Sequence, residues 1–195
     1  MEADWAAEIG AGLPVIEADW AGFVDLRAEP GRIAAIGEAT MEPALREALA
    51  ALNDAGSPVF TSKCEVWELA AEEIDADEFG CGRGEACGAG RASWIDVIAR
   101  DTAVFGSFEA HEAWVRRVVE WLRGEEASQG RVDLVVRAAV AEAREGLGIT
   151  LYAAGCGPDT PAARAAWERV LRAVVAATMR EARAPMAAVS RGAGE

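Results

Sequence analysis

Lys63 is the residue whose type stands out most in this chain. It is the one lysine, because every other basic residue is an arginine. It lies beside Cys64 in a run of apolar, aromatic and β-branched residues at 59–67 that predicts a β-strand. The pKa of a lysine ammonium falls readily on burial, whereas a guanidinium stays charged. Lys63 is therefore a candidate for ligand binding or chemistry, although chance retention of one lysine explains the composition equally well.

Aspartates at the centres of predicted strands indicate a polar sheet face. Three strand-like runs each place an aspartate between two bulky apolar residues, and these aspartates are Asp25, Asp96 and Asp133. Alternation along a strand puts each of them on the face opposite its apolar neighbours. The same alternation adds Arg137 and Tyr152 to the face that carries Lys63. Aspartate is depleted inside strands, so the pattern predicts a site for a small polar ligand.

The segment Gly155-Cys156-Gly157 precedes a predicted helix that begins near Thr160. Unsatisfied backbone N–H groups and the helix dipole attract anions to a helix N-terminus. This makes Gly155 and Gly157 further candidates for ligand binding. The alternative is a tight strand-to-helix turn, in which Asp159 or Thr160 caps the helix and no ligand binds.

The predicted ligand-binding set therefore has two parts, one on the sheet and one at the helix terminus. Its members are Lys63, Asp96, Asp133, Arg137, Tyr152, Gly155 and Gly157. A second interpretation of the sheet part also remains open. Antiparallel sheets often leave one face to solvent, and aspartates on such a face pair with basic side chains. No catalytic residue follows from either interpretation.

The four cysteines carry no metal-binding signature. Cys81 and Cys87 are separated by five residues, which is wider than the ligand spacing of zinc knuckles. A metal site would require Cys64 and Cys156 to approach this pair in the fold. The spacing therefore predicts no metal site, and the thiols are expected to be reduced. No cofactor is indicated.

The elements that must position these residues predict a single α+β domain. Strands are predicted at 22–27, 59–67, 93–99, 131–137 and 148–154, and helices from about Thr40 to 52, at 107–124 and at 160–184. This order predicts a ferredoxin-like sandwich, with a mostly antiparallel sheet of about five strands and helices on one face. A three-layer α/β fold is the alternative.

Three segments lie outside this pattern of elements. Residues 1–21 are interpreted as an N-terminal arm, and residues 185–195 as a flexible tail. Residues 70–91 form a long acidic loop that is rich in glycine and contains Cys81 and Cys87. The domain itself is then expected to span 22–184.

The charge balance limits the expected partners. The formal net charge is −14 and the arginines are scattered, so we expect binding neither to nucleic acid nor to an anionic membrane. The sequence contains no recognisable signal peptide or membrane span, which makes the cytoplasm the default location.

Two functional hypotheses follow from the sequence. The first is a cytoplasmic protein that binds a small polar ligand on the open sheet face or at the helix terminus after Gly155–Gly157, with catalysis left open. The alternative is a non-catalytic acidic module for protein–protein interaction, or a homodimer. Acidic charge steers association with a basic partner, and exposed sheet edges pair with other chains.

Overall fold

The computed structural model describes residues 1–10, 12–18, 20–82, 86–125 and 129–181. The strands are β1 Glu2–Glu8, β2 Ile16–Glu17, β3 Val59–Leu69, β4 Ala89–Ala99, β5 Gly130–Ala141 and β6 Arg144–Gly157. The α-helices are α1 Gly37–Met41, α2 Pro43–Asn53, α3 Thr102–Phe105, α4 Phe108–Arg123 and α5 Thr160–Glu181. Short 3₁₀ helices lie at Pro30–Ala35 and Ala71–Glu73.

The strands form one mixed sheet. Their order is β1-β5-β6-β4-β3, and β2 also pairs with β5. Neighbouring strands from β5 to β3 are antiparallel, whereas β1 and β2 run parallel to β5. The α+β class is thus confirmed, with a six-stranded sheet in the described part of the chain. The ferredoxin-like sandwich with an antiparallel sheet is not confirmed, because the parallel strands from the N-terminus make the sheet mixed.

The N-terminal segment belongs to the sheet, which corrects its interpretation as an arm over 1–21. β1 runs along β5, with Glu8 opposite Arg137. Arg123, the last residue of α4, donates from Nε to the Ala3 carbonyl at 2.8 Å. The local pattern misses this strand because strand formation depends on the partner strand, and here the partner is distant in sequence.

The predicted strand at 22–27 is also wrong. Asp25 accepts hydrogen bonds from the backbone N–H and from Nε of Arg27, each at 2.9 Å. An aspartate that bonds the backbone two residues ahead forms a turn, which interrupts extended chain. Asp25 therefore does not join the polar sheet face.

The predicted helix at 107–124 is confirmed, and the strands β5 and β6 form a hairpin. β5 and β6 are joined at Glu142 and Ala143, whose φ values of 51° and 59° suit a tight two-residue turn. α4 begins after Ser107, whose hydroxyl accepts from the N–H of Ala110 at 3.1 Å.

The helix predicted from Thr40 is divided into α1 and α2. Pro43 has no N–H to continue a helix, and it is the first residue of α2. Residues 83–85 of the predicted loop, residues 182–184 of the last predicted helix and the predicted tail lie outside the described residues.

The main core lies between one face of the sheet and helices α2, α4 and α5. Trp114 of α4 and Trp167 of α5 are almost completely buried there. The indole N–H of Trp167 donates to the hydroxyl of Ser93 on β4 at 2.8 Å. A smaller apolar cluster around Phe60 and Ile98 covers one end of the other face. We call that other face the helix-free face, since α2, α4 and α5 do not cover it.

Helix α5 approaches β6 closely because Gly155 and Gly157 face it. A Cβ added at Gly155 would lie 2.1 Å from the backbone nitrogen of Trp167, and one at Gly157 would lie 2.8 Å from that of Ala163. Neither position has room for a side chain. Successive residues of a strand point to opposite faces, so Cys156 points to the helix-free face.

Replacing Gly155 with alanine should destabilise the fold strongly. The added methyl group meets backbone atoms of α5, which cannot rotate away as a side chain would, so we expect a loss of about 3 kcal/mol or more in the free energy of unfolding. Urea denaturation followed by circular dichroism measures this. Gly31→Ala is the matched control, because its Cβ meets no atom within 4 Å and stability should change little. A G155A variant as stable as the control would contradict the close packing.

Candidate functional site

A chain of hydrogen bonds crosses the helix-free face. Arg137 donates from Nη1 to the hydroxyl of Tyr152 at 3.1 Å and to that of Thr150 at 3.3 Å. Thr150 donates in turn to Oδ1 of Asp96 at 2.6 Å. On its other side, Arg137 donates from Nε and Nη2 to Glu8, at 3.1 Å and 2.8 Å. These five residues, which we call the polar network, come from four neighbouring strands.

Asp96 is the buried end of the polar network. It is 4% exposed, and burial raises the pKa of its carboxyl group from 3.8 to about 6. The hydrogen bond from Thr150 and the positive charges of Arg137 and Lys63 act in the opposite direction and lower this pKa. Asp96 is therefore ionised at neutral pH, with its charge supported by Thr150 and Arg137.

A groove of about 400 Å³ runs beside the polar network. Arg137 and Tyr152 form part of its wall, and the ion pair between Arg131 and Asp133 forms another part. Its apolar lining includes Trp67, Leu69 and Phe79. Arg131 holds Asp133 by two hydrogen bonds, from Nε at 2.7 Å and from Nη2 at 3.0 Å. A concave site with an apolar wall and a few fixed polar groups is typical of small-molecule binding.

Lys63 is not among the residues that line this groove, and it lies at a bulge in β3. The pairing of β3 with β4 shifts between Thr61 opposite Val97 and Cys64 opposite Ile95. Two residues of β3 thus occupy the place of one, and such a bulge reverses the alternation beyond it. Thr61 consequently faces the helices, like Cys64.

The structure places Lys63 in a second cavity, of about 460 Å³, at the edge of β3. Its Nζ atom lies 5.5 Å from the ring centre of Trp20, and Glu38 and Cys64 also line this cavity. Burial raises the pKa of the Cys64 thiol to about 12, and the charges of Glu38 and Asp96 add to this effect. Cys64 is thus a protonated thiol, and thiols in that form are poor nucleophiles.

The two candidate glycines at the helix terminus have a packing role. Gly155 and Gly157 face α5, where no side chain fits. The first N–H groups of α5 have partners within the chain: Ala162 donates to the Asp159 carboxylate and Ala163 to the Asp159 carbonyl, both at 2.9 Å. The prediction of an anion at this terminus is therefore replaced by the capped turn that was its alternative.

The structure thus brings together part of the predicted ligand-binding set. Asp96, Arg137 and Tyr152 belong to one network, and Asp133 lines the adjoining groove. The prediction missed Glu8 and Thr150. Thr150 shares the alternation of Tyr152, which is the signal that identifies it, whereas Glu8 requires knowledge of the pairing of β1.

Three cysteines converge near the end of β6, within the described ranges. Cys87 and Cys156 are bonded as a disulfide, with their Cα atoms 5.4 Å apart. The Sγ atom of Cys81 lies 2.7 Å from that of Cys87 and 3.4 Å from that of Cys156. The sequence analysis predicted no metal site, because such a site would need both Cys64 and Cys156 to lie near Cys81 and Cys87. In the structure Cys156 lies beside Cys81 and Cys87, whereas Cys64 lines the second cavity.

No protein-family model, curated protein or solved structure matches this chain. Within the described ranges, no helix is long and apolar enough to cross a membrane. The geometry of the sites is therefore the basis for inference about function.

Replacing Asp96 with asparagine tests the buried charge. The folded state holds the proton of Asp96 more tightly than the unfolded chain, so its contribution to stability falls as pH rises from about 4 to about 6. At pH 7 the ionised group should cost on the order of 1–3 kcal/mol. Asparagine keeps an acceptor for Thr150 without the charge.

We therefore expect D96N to be more stable than the wild type at pH 7 and to lose this advantage near pH 4. Urea denaturation at both pH values measures the difference. A stability difference that is the same at both would contradict the raised pKa of Asp96.

Proposed function

We propose that this protein binds a small anionic ligand with an apolar part in the groove on the helix-free face. Arg137 and Tyr152 supply the polar contacts, and Trp67, Leu69 and Phe79 supply the apolar wall. Support comes from the groove volume of about 400 Å³, which suits a small molecule, and from the mixed character of its lining.

The arrangement around Arg137 is the observation that carries this proposal. Tyr152 and Thr150 hold its Nη1 atom from the sheet, so the guanidinium is oriented before any ligand arrives. Its acidic contact, Glu8, has a side chain that is 60% exposed, whereas the Arg137 side chain is 17% exposed. An exposed ion pair contributes little stability. A ligand carboxylate or phosphate can therefore replace Glu8 at small cost and form the bidentate contact that arginine favours.

The distribution of acidic groups favours binding over catalysis. Asp96 has a pKa shifted toward neutrality, as a catalytic acid or base often has. However, it lies behind Thr150 and is not among the residues that line the groove. Asp133 and Glu73 line the groove, but both carboxylates have partners within the chain. Arg131 holds Asp133, and Glu73 accepts from the backbone N–H of Ala70 at 2.7 Å. Asp96 is therefore assigned a role in orienting the network that holds Arg137.

Phenyl phosphate and benzoate are suitable probes, with acetate as a probe that lacks the apolar part. We expect Arg137→Gln to weaken binding of phenyl phosphate roughly tenfold or more, because a hydrogen bond to a charged group contributes about 1.5–3 kcal/mol. Glu8→Gln should strengthen binding, because it removes the competing carboxylate. Ligand titration followed by NMR of the Trp67 indole measures both effects.

Arg172→Gln is the matched control, since Arg172 forms an exposed ion pair with Glu168 on α5, away from the groove. Its affinity for phenyl phosphate should equal that of the wild type. If R137Q and R172Q bind phenyl phosphate equally well, Arg137 is not the anion-binding group. If Glu8→Gln weakens binding, the replacement of Glu8 by the ligand is wrong.

The second candidate is a homodimer, as the sequence alternative proposed. The observation in its favour is a set of exposed apolar side chains after β1, which lies at an edge of the sheet. Ile9, Leu13 and Val15 are 48%, 91% and 54% exposed. Clustered exposed apolar residues are common at interfaces. Two copies of a chain with net charge −14 repel each other, so association through this segment should strengthen with salt.

Sedimentation at low and high salt tests the homodimer. We expect a larger dimer fraction at high salt, because the repulsion is screened, and loss of that fraction in Leu13→Ser, because its large apolar side chain is removed. A wild-type monomer at both salt concentrations would eliminate this candidate and would not affect the ligand proposal.

A further inference from the structure

The sulfur atoms of Cys81, Cys87 and Cys156 form a second candidate site, separate from the polar network. A single disulfide joins Cys87 and Cys156, yet the Cys81 sulfur is in contact with both of them. We infer that these three cysteines bind a thiophilic cation such as Zn²⁺ when the disulfide is reduced.

The position of Cys156 is fixed by its surroundings and does not depend on the disulfide. It is completely buried, and its backbone N–H donates to the carbonyl of Gln129 at 3.0 Å. Gly155 and Gly157 on either side face α5 without room for a side chain. The Cys156 sulfur therefore stays on the helix-free face in either redox state.

The turn that carries Cys81 is held against β5 by backbone hydrogen bonds. Gly130 donates to the carbonyl of Phe79 at 3.0 Å, and Cys81 donates to the carbonyl of Ala76 at 3.0 Å. Gly80, between Phe79 and Cys81, has a φ of 61°, which glycine adopts without strain. Phe79 is itself buried. The Cys81 sulfur is thus directed toward Cys156 by the fold of this turn.

Cys87 is positioned from the other side of the site. The N–H of Gly88, the next residue, donates to the carbonyl of Gly157 at 2.8 Å. Gly90 then pairs with Cys156 in the ladder of β4 with β6. Backbone contacts therefore keep all of these sulfurs together after the Cys87–Cys156 bond is broken.

The chemistry requires a reductant such as a thiol or a phosphine. Reduction of the Cys87–Cys156 disulfide adds two electrons and two protons and gives two thiols. Together with Cys81 these are three thiols, and a cation that binds three thiolates releases three protons. Thiolates select soft ions such as Zn²⁺ and Cu⁺. Among the described residues, the group of close ligand atoms comprises these three cysteines, so a fourth zinc position is available to water.

Binding requires a small movement of the sulfurs. A zinc ion lies about 2.3 Å from each sulfur ligand, so tetrahedral geometry separates the sulfurs by roughly 3.8 Å. Cys81 and Cys87 are 2.7 Å apart at Sγ, so they must separate by about an ångström. Neither residue belongs to a helix or a strand, and irregular chain adjusts more easily than a strand in a sheet.

Titration of phosphine-reduced protein with Co²⁺ and then Zn²⁺ tests the inference. We expect one equivalent of Co²⁺ with an intense sulfur-to-metal charge-transfer band, and displacement of Co²⁺ by Zn²⁺. Cys81→Ser should lower the affinity at least roughly tenfold, because it removes one thiolate ligand. It retains the two cysteines that form the disulfide, so circular dichroism of the oxidised variant checks that it folds. Cys64→Ser, in the second cavity, should bind as the wild type does.

A second measurement uses the wild type alone. In the phosphine-reduced protein, Zn²⁺ should protect Cys81 and Cys87, which are partly exposed, from iodoacetamide under native conditions, and mass spectrometry after digestion identifies the labelled residues. Absence of Co²⁺ binding by the reduced wild type would overturn the inference. Wild-type affinity in C81S, an equal loss in C64S, or labelling of Cys81 and Cys87 that Zn²⁺ does not slow would overturn it as well.

Discussion

The contact between α5 and β6 is the constraint on which both sites depend. With glycine at 155 and 157, the helix backbone packs directly on the strand backbone. This contact brings Trp167 to Ser93 and buries it in the core. A second connection joins the same layers, because the Glu42 carboxylate is held by both Arg91 of β4 and Arg164 of α5. Gly155 and Gly157, at the C-terminal end of β6, must face α5, and this fixes which side chains of β6 point to each face. Thr150, Tyr152 and Cys156 therefore all point away from the helices.

The helix-free face combines groups that are costly to place on a sheet. Burying the carboxylate of Asp96 opposes ionisation, and its hydrogen bond from Thr150 offsets only part of that cost. If this face were fully solvated, the carboxylate of Asp96 would not be buried and this cost would not arise. The benefit is that the hydroxyl groups of Thr150 and Tyr152 orient the guanidinium of Arg137, while part of the Arg137 side chain stays in contact with solvent. Preorganised polar groups of this kind favour binding because they lose little freedom when a ligand arrives.

Strand alternation was sufficient to predict that Asp96, Arg137 and Tyr152 share one face of the sheet, because β4, β5 and β6 keep a regular register across this region. It does not reveal the bulge in β3 between Thr61 and Cys64, and it failed for Asp25, where a side-chain hydrogen bond makes a turn. Neither event has a distinct signature in one sequence. The loss of the glycine site has a different cause: Gly155 and Gly157 permit either a ligand or a helix to approach, and only the packing of α5 decides between them.

The cysteine group shows the limit of spacing rules. The spacing between Cys81 and Cys87 differs from that of a zinc knuckle, yet the fold places Cys156, at the end of β6, beside both of them. X-ray absorption at the zinc edge of reduced, zinc-loaded protein tests most directly whether the α5–β6 contact directs Cys156 into a common site. We predict three sulfur neighbours at about 2.3 Å and one lighter neighbour. A spectrum with nitrogen and oxygen neighbours alone, at about 2.0–2.2 Å, would contradict this account.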